Sequence, residues 1–163
     1  MSAADEGFWA EIPLGPGVRR VAIDPNGLAA LDKPEGVLSH PNSTRDTKRS
    51  LVQAPYDTDD ECFEWQTKAG PRRLWLINRL DSATSGLILA STGAGLAREV
   101  RAQFKRRAVR KTYEALVFGS PKKPSELWKD LLEVKKQAGR IRTVAGAGRL
   151  PAETQMTLVR SSS

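Results

Sequence analysis

The stretch LWLINRLDSATSGLILAS, residues 74–91, decides the predicted fold because it places a dense polar insert between two apolar runs. Residues 74–77 and 87–90 have the length and composition of buried strands, and a functional corner is predicted between them. Arg79 and Asp81 lie two positions apart in this insert. An opposite charge nearby favours the charged form of a carboxylate, so we expect Arg79 to hold Asp81 ionised.

A lone Arg-x-Asp pair in a turn is usually a surface ion pair, but the longer string RLDSATSG at residues 79–86 is far more specific. It resembles the RLDxxTSG motif of the RluA-like (RluA/RsuA-type) RNA pseudouridine synthases. The resemblance implies that Asp81 is the catalytic residue and that Arg79 orients it and stabilises its charge.

The composition narrows the classes of function. The chain has 163 residues, a net charge of +7 and a pI near 9.9, which favours a polyanionic partner, although charge alone also fits a merely soluble basic protein. A single cysteine, Cys62, excludes an intrachain disulfide and argues against a zinc cluster. The single histidine, His40, shows no pattern of a catalytic triad or a metal site.

Targeting and metal-binding signals are not visible in the sequence. No apolar run reaches the length of a membrane span, and the N-terminus lacks the pattern of a signal peptide, so we expect a cytoplasmic protein. The acidic residues of 57–64 could bind a metal, but they lack the glycine and the spacing of a calcium loop. A solvated loop is the preferred interpretation.

A second motif, DKPEGVL at residues 32–38, is followed by Ser39, His40 and Pro41. It resembles the family's DKPxG loop with its following His-Pro, whereas alone it would indicate an ordinary hairpin loop. Lys33 stands at the end of a predicted strand, where it could face an RNA phosphate. His40 is interpreted as a loop or packing residue rather than a catalytic base.

Residues 93–107 have a helical pattern, in which Leu96, Val100 and Phe104 form one apolar stripe. The helix and the residues after it are strongly basic, with few acidic partners at i,i+4 spacing. We interpret the basic side chains as a phosphate-contacting surface, the alternative being a solvated helix face. The residues are Arg98, Arg101, Lys105, Arg106, Arg107, Arg110 and Lys111.

Residues 111–119, KTYEALVFG, alternate as a strand and resemble the family's KxYxAxVxG strand. The resemblance implies that Tyr113 is the active-site tyrosine and faces Asp81 from a neighbouring strand. Without the motif, Tyr113 would be interpreted as a core residue with its hydroxyl satisfied.

The remaining chain defines the expected domain organisation. Residues 1–19 are predicted to be an irregular lead-in anchored by Phe8 and Trp9, and residues 20–163 the catalytic domain. Residues 21–23 and 28–31 predict a hairpin, 137–148 a hairpin or mobile loop, and 152–159 a strand. The resemblance implies an α+β fold, with a mixed, largely antiparallel sheet and flanking helices.

The sequence departs from the family at two places. Asn78 occupies the position where the family commonly has histidine, so a positive charge is not possible there. A later segment of the TGRxHQIR type is not found, and Arg140 and Arg142 lack its context. The resemblance therefore implies a domain truncated at its C-terminus, or a degenerate copy of one.

The resemblance implies isomerisation of uridine to pseudouridine in rRNA or tRNA, with no metal and no organic cofactor, by a protein expected to be monomeric. The uridine would have to leave its stack to reach Asp81. Tyr113 would pack on the flipped uracil. The alternative is a non-catalytic RNA-binding protein derived from such an enzyme.

Overall fold

The computed structural model describes residues 3–137, 140–146 and 148–161. The chain divides into two compact units, Met1–Lys111 and Thr112–Ser163. The division falls inside the range 20–163 that the sequence suggested as one domain, so each unit is described by itself.

The first unit is built on a six-stranded antiparallel sheet with the strand order β1-β2-β6-β5-β4-β3. Its strands are β1 (Arg19–Ile23), β2 (Leu28–Lys33), β3 (Tyr56–Asp57), β4 (Cys62–Thr67), β5 (Gly70–Leu76) and β6 (Gly86–Ser91). The helices are α1 (Ala3–Ala10), α2 (Ala94–Lys105) and a short 3-10 helix, Thr44–Arg49. The predicted hairpin and the two strands around the polar insert are all present.

The core lies on one face of this sheet because apolar side chains alternate along its central strands. Leu31 of β2, Phe63 of β4, Leu74 of β5 and Ile88 of β6 are fully buried. Helix α2 packs against β5 and β6 through Ala97, which is also fully buried.

Helix α1 contradicts the expectation of an irregular lead-in. Trp9, predicted as an anchor, is only 1% exposed, and its ring meets that of Phe8 edge-on. Phe8 also contacts Trp65 of β4, while the Arg20 side chain donates to the Trp9 carbonyl. Tertiary packing of these aromatic rings outweighs the low helix propensity of Gly7.

The acidic stretch of residues 57–64 is not simply a solvated loop. It contains the β3–β4 connection and the start of β4, and three of its carboxylates, those of Asp60, Glu61 and Glu64, lie near arginines. The Glu64 carboxylate lies 2.6 Å from Arg73 of β5, and Asp60 lies 3.8 Å from the same guanidinium. The 3-10 helix ends immediately before Ser50.

The second unit is a three-stranded antiparallel sheet with the strand order β8-β7-β9. Its strands are β7 (Ser125–Gln137), β8 (Arg140–Ala145) and β9 (Leu150–Thr157). Residues 137–148, predicted as a hairpin or mobile loop, contain β8, which forms a hairpin with the end of β7. The strand predicted for residues 152–159 overlaps β9, whereas the 13-residue β7 was not recognised because its apolar pattern is weak.

The strand predicted for residues 111–119 is absent, since this segment has no regular secondary structure. A strand requires backbone partners, and these residues pair with no strand of the described chain. Leu116 and Phe118 are consequently exposed.

The two units confirm the expected α+β class with a largely antiparallel sheet. In the described part of the chain, no helix is both long and apolar enough to cross a membrane.

The packing of α1 predicts that Trp9→Ala lowers the free energy of unfolding by about 3–5 kcal/mol, because a large buried aromatic side chain is removed. Chemical denaturation followed by circular dichroism measures this change. Val21→Ala, at a site 57% exposed, is the control and should change stability by less than about 0.5 kcal/mol. Equal stabilities of the two variants would show that α1 does not belong to the core.

Candidate active site

The polar insert forms the connection between β5 and β6, and Asp81 lies at its centre. The backbone turns there, with the Thr84 N–H donating to the Asp81 carbonyl at 3.0 Å. β6 then begins at Gly86, whose φ of +131° is accessible to glycine but rarely to other residues. The Asp81 side chain is exposed at this corner.

Asn78 continues the β5–β6 pairing by means of its side chain. Its Oδ1 accepts from the Leu89 N–H at 2.7 Å, and its Nδ2 donates to the Leu87 carbonyl at 3.2 Å. A primary amide can donate and accept in this way, whereas a protonated imidazole could only donate. The departure from the family's histidine therefore has a structural role as a ladder extension.

Leu80 is held by a serine from the loop after β2. The Ser39 hydroxyl donates to the Leu80 carbonyl at 2.6 Å and accepts from the Leu80 N–H at 2.9 Å. Ser39 itself is buried. One side chain therefore satisfies both backbone groups of the residue before Asp81, and it fixes their orientation.

Ser82, the residue after Asp81, is held by the 33–37 loop. Its carbonyl accepts from the Gly36 N–H at 2.7 Å and from Lys33 Nζ at 3.3 Å. The Lys33 ammonium also donates to the carbonyls of Val37 at 2.7 Å and Pro34 at 3.1 Å. This single cation therefore joins the loop to the turn that carries Asp81.

These contacts correct the prediction that Lys33 binds an RNA phosphate. The residue is 0% exposed and its ammonium already has three carbonyl acceptors. Burial lowers the pKa of Lys33 below its usual value, while the carboxylates of Asp81 and Glu35 oppose this shift. Lys33 is thus a structural cation, and Asp81 is one of the charges near it.

Hydrogen bonds to the surrounding fold hold every second residue between positions 78 and 82. Asn78, Leu80 and Ser82 are tied to the surrounding fold, whereas Arg79 and Asp81 between them have exposed side chains. The arrangement therefore presents the guanidinium and the carboxylate to solvent from a held backbone.

Arg79 does not hold Asp81 in the way that the sequence suggested. Its guanidinium lies 4.0 Å from the Glu61 carboxylate, and no salt bridge joins it to Asp81 in the described structure. The side chain of Arg79 is 58% exposed, so its pairing with Glu61 is screened by water.

The basic cluster divides into two groups. Arg101 is half-buried and donates to the backbone carbonyls of Leu76 and Glu61, so it is not a free phosphate ligand. The rest of the cluster has exposed side chains and stays compatible with contact to a polyanion. These residues are Arg98, Lys105, Arg106, Arg107, Arg110 and Lys111.

Tyr113 belongs to the second unit, lies on no strand and is 61% exposed. Its apposition to Asp81 stays a prediction. Among the residues that the structure describes, no group of histidine, cysteine, aspartate and glutamate side chains could hold a metal ion.

An aromatic pair near Arg79 was not recognised from the sequence. The rings of His40 and Tyr56 stack 4.6 Å apart, which agrees with the packing role expected for His40. The Tyr56 hydroxyl is buried without a hydrogen-bond partner in the described chain. Burial, with a smaller effect of Glu61, raises the pKa of Tyr56 to about 12.

Lys33→Met should lower the free energy of unfolding by about 2–4 kcal/mol, because three carbonyl groups lose a buried donor. Denaturant unfolding measures the change. Lys68→Met removes an exposed lysine and should change stability by less than about 0.5 kcal/mol. If the two variants unfold alike, the Lys33 contacts contribute no net stability.

Tyr56→Phe should leave stability at neutral pH unchanged or raised by up to about 1 kcal/mol, since it removes a buried hydroxyl without a partner. At higher pH the difference should grow. The unfolded tyrosine ionises near 10.0 and the folded one near 12, so wild-type stability is lost as pH rises through this range. Unfolding curves between pH 8 and 11 check this, and pH profiles that run parallel would contradict it.

Comparison with known proteins identifies relatives over most of the chain. Residues 27–163 match the family described as RNA pseudouridylate synthase. The dual-specificity RNA pseudouridine synthase RluA of Yersinia pestis is 32% identical over 95 residues, covering 56% of this chain and 39% of that protein. The protein of the same name in Escherichia coli K12 is 31% identical over 107 residues, covering 64% of this chain and 42% of that protein. The chain thus spans about two-fifths of the length of these relatives.

A solved structure is similar in fold. The human RNA pseudouridylate synthase domain containing 4 superposes with a TM-score of 0.57 at 19% identity, over 98% of this chain and 57% of that one. At this identity the likeness concerns the fold alone. The family match, in contrast, extends over residues 27–163 and includes the Asp81 turn and its anchors. Because it covers most of the chain, the chain belongs to the RNA pseudouridylate synthase family.

Proposed function

We propose that this chain carries the catalytic segment of an RNA pseudouridine synthase, with Asp81 as the catalytic residue and uridine in rRNA or tRNA as the substrate. The observation that carries the proposal is the presentation of Asp81. An exposed carboxylate stands on a backbone anchored at both neighbouring residues, Leu80 and Ser82, in a chain of this family.

The proposed reaction is an isomerisation. The bond between uracil N1 and C1′ of the ribose breaks, uracil rotates, and a bond between C5 and C1′ forms. The proton on C5 leaves and N1 gains one, so no atom is added or lost overall. The Asp81 carboxylate would start the sequence as nucleophile or base, and a rigid backbone supports this because small displacements of a reacting group are costly.

The exposed position of Asp81 is compatible with access to a base in RNA. A uridine within a stacked RNA must swing out of the stack before its ring or ribose can meet a protein side chain. Asp81 lies at an exposed corner rather than in an enclosed cavity, so a base displaced from its stack could reach it.

Two further residues have proposed roles around that base. Arg79, exposed and only weakly paired with Glu61, can turn toward the substrate or toward Asp81 with little loss. Tyr113 would pack on the displaced uracil, as the resemblance of residues 111–119 to the family's strand implies.

Binding of RNA is supported by charge. The chain has a net charge of +7, and the exposed basic side chains at and after the end of α2 lie close together in sequence. Lysine and arginine contacts to phosphates release counterions, so RNA affinity should fall steeply as salt increases.

The test is release of tritium from RNA labelled at uracil C5. Asp81→Ala should reduce release at least about a thousandfold, as expected for a group that reacts directly. Because Asp81 is exposed, the variant should keep its fold and its salt-sensitive RNA binding. Asp59→Ala, which removes another exposed carboxylate of the first unit, is the matched control and should behave as wild type.

The assay should use the full-length protein as well as this chain, because the chain spans only part of its relatives. Release that persists in the Asp81→Ala protein would contradict the catalytic role. RNA binding without release by the wild-type full-length protein would instead favour a non-catalytic RNA-binding protein.

A further inference from the structure

Glu61 has an unusual backbone at the entrance to β4. Its φ is +52°, in the left-handed region that residues other than glycine seldom occupy. Such conformations persist where surrounding contacts impose them, and they are frequent at functional sites. The contacts of Glu61 lead directly to the segment that carries Asp81.

The backbone of Glu61 fixes the end of β5. Its carbonyl accepts from the Leu76 N–H at 3.0 Å and from a guanidinium nitrogen of Arg101 at 3.1 Å. Leu76 is the last residue of β5, so the chain leaves the sheet at this point and continues toward Asp81.

Arg101 completes the same junction from α2. Its Nε donates to the Leu76 carbonyl at 2.8 Å and lies 3.3 Å from the Glu61 carboxylate. Both backbone groups of Leu76 are therefore held, one by Glu61 and one by Arg101. The guanidinium is half-buried, and charged hydrogen bonds in such a site are stronger than exposed ones.

The other Glu61 carboxylate oxygen faces Arg79 at 4.0 Å. Glu61 thus has two contacts with the chain that leads to Asp81. Its backbone carbonyl binds the Leu76 N–H, and its carboxylate lies near Arg79, two residues before Asp81. Within the described residues Asp81 has no salt bridge, and Arg79 lies beside Glu61 instead.

We propose that Glu61 and Arg101 are positioning residues for the reaction at Asp81, a pair that we name the Glu61–Arg101 anchor. The inference rests on the proposed function in so far as it concerns catalysis. The anchor holds Leu76, the last residue of β5, at the point where the chain continues toward Asp81.

The experiment compares Glu61→Ala and Arg101→Lys with two matched controls, Glu64→Ala and Arg73→Lys. The control pair is another Glu–Arg contact of the same sheet, 2.6 Å long. Lysine keeps the charge of Arg101, but it cannot reach the two carbonyls and the carboxylate together. Glu61→Ala leaves the Glu61 carbonyl in place and removes the carboxylate that faces Arg101, so each test variant weakens the hold of Arg101 on Leu76.

Amide hydrogen exchange measured by NMR gives a readout independent of catalysis. In both test variants the Leu80 and Thr84 amides should exchange at least about fivefold faster than in wild type, because Arg101 no longer holds Leu76 as firmly at the start of their segment. The Leu31 amide, in the β2–β6 ladder, should change less. Unchanged exchange, or an equal increase at Leu31, would overturn the proposal.

Tritium release gives the catalytic readout. At saturating RNA both test variants should release tritium about tenfold more slowly than wild type, while the RNA concentration for half-maximal rate changes less, as expected for lost positioning. Wild-type rates in both variants would overturn the positioning role. Absence of release by wild type would contradict the proposed function alone, because the exchange measurement still decides the anchor.

Discussion

The turn that carries Asp81 depends on the hydrogen bonds that the buried Lys33 ammonium donates to three backbone carbonyls. A charge removed from water is costly unless acceptors replace its hydration, and here three backbone carbonyls do so. Two of these carbonyls belong to the loop after β2 and one to Ser82, so the solvation of a single cation requires the two loops to meet. The carboxylate of Asp81 adds to the electrostatic balance, since it favours the charged lysine that burial disfavours. Structure and site chemistry are therefore coupled through one charge.

From this junction the other contacts follow in an alternating order. Asn78 replaces backbone pairing with a side-chain amide, and Ser39 closes both backbone groups of Leu80. Each of these partners is neutral and buried or half-buried. The charged partners are kept at the flank, where Glu61 faces two arginines. Neutral groups therefore hold Asn78 and Leu80, whereas the charged side chains of Arg79 and Asp81 are exposed.

Much of this architecture could be predicted from the sequence, because β5 and β6 have continuous apolar runs and the 79–86 string is specific. The role of Lys33 could not, since a lysine at the end of a strand gives no sign that carbonyls from another loop will enclose it. Helix α1 was missed because its stability comes from packing of Trp9 rather than from propensity. The strand expected around Tyr113 depended on a backbone partner, which alternation of side chains alone does not reveal. The contacts of Glu61 with arginines were not recognised because it lies in an acidic run, residues 57–64, that is typical of a solvated loop.

The anchors come from distant parts of the chain. Ser39 and Leu80 are 41 residues apart, and the Lys33 to Ser82 bond spans 49. Contacts of such separation form only after much of the sheet has assembled, because the intervening chain must first lose its conformational freedom. A short peptide containing the RLDSATSG string would carry Arg79 and Asp81 but none of the contacts that place them. The proposed reaction therefore requires the first unit to have completed its folding.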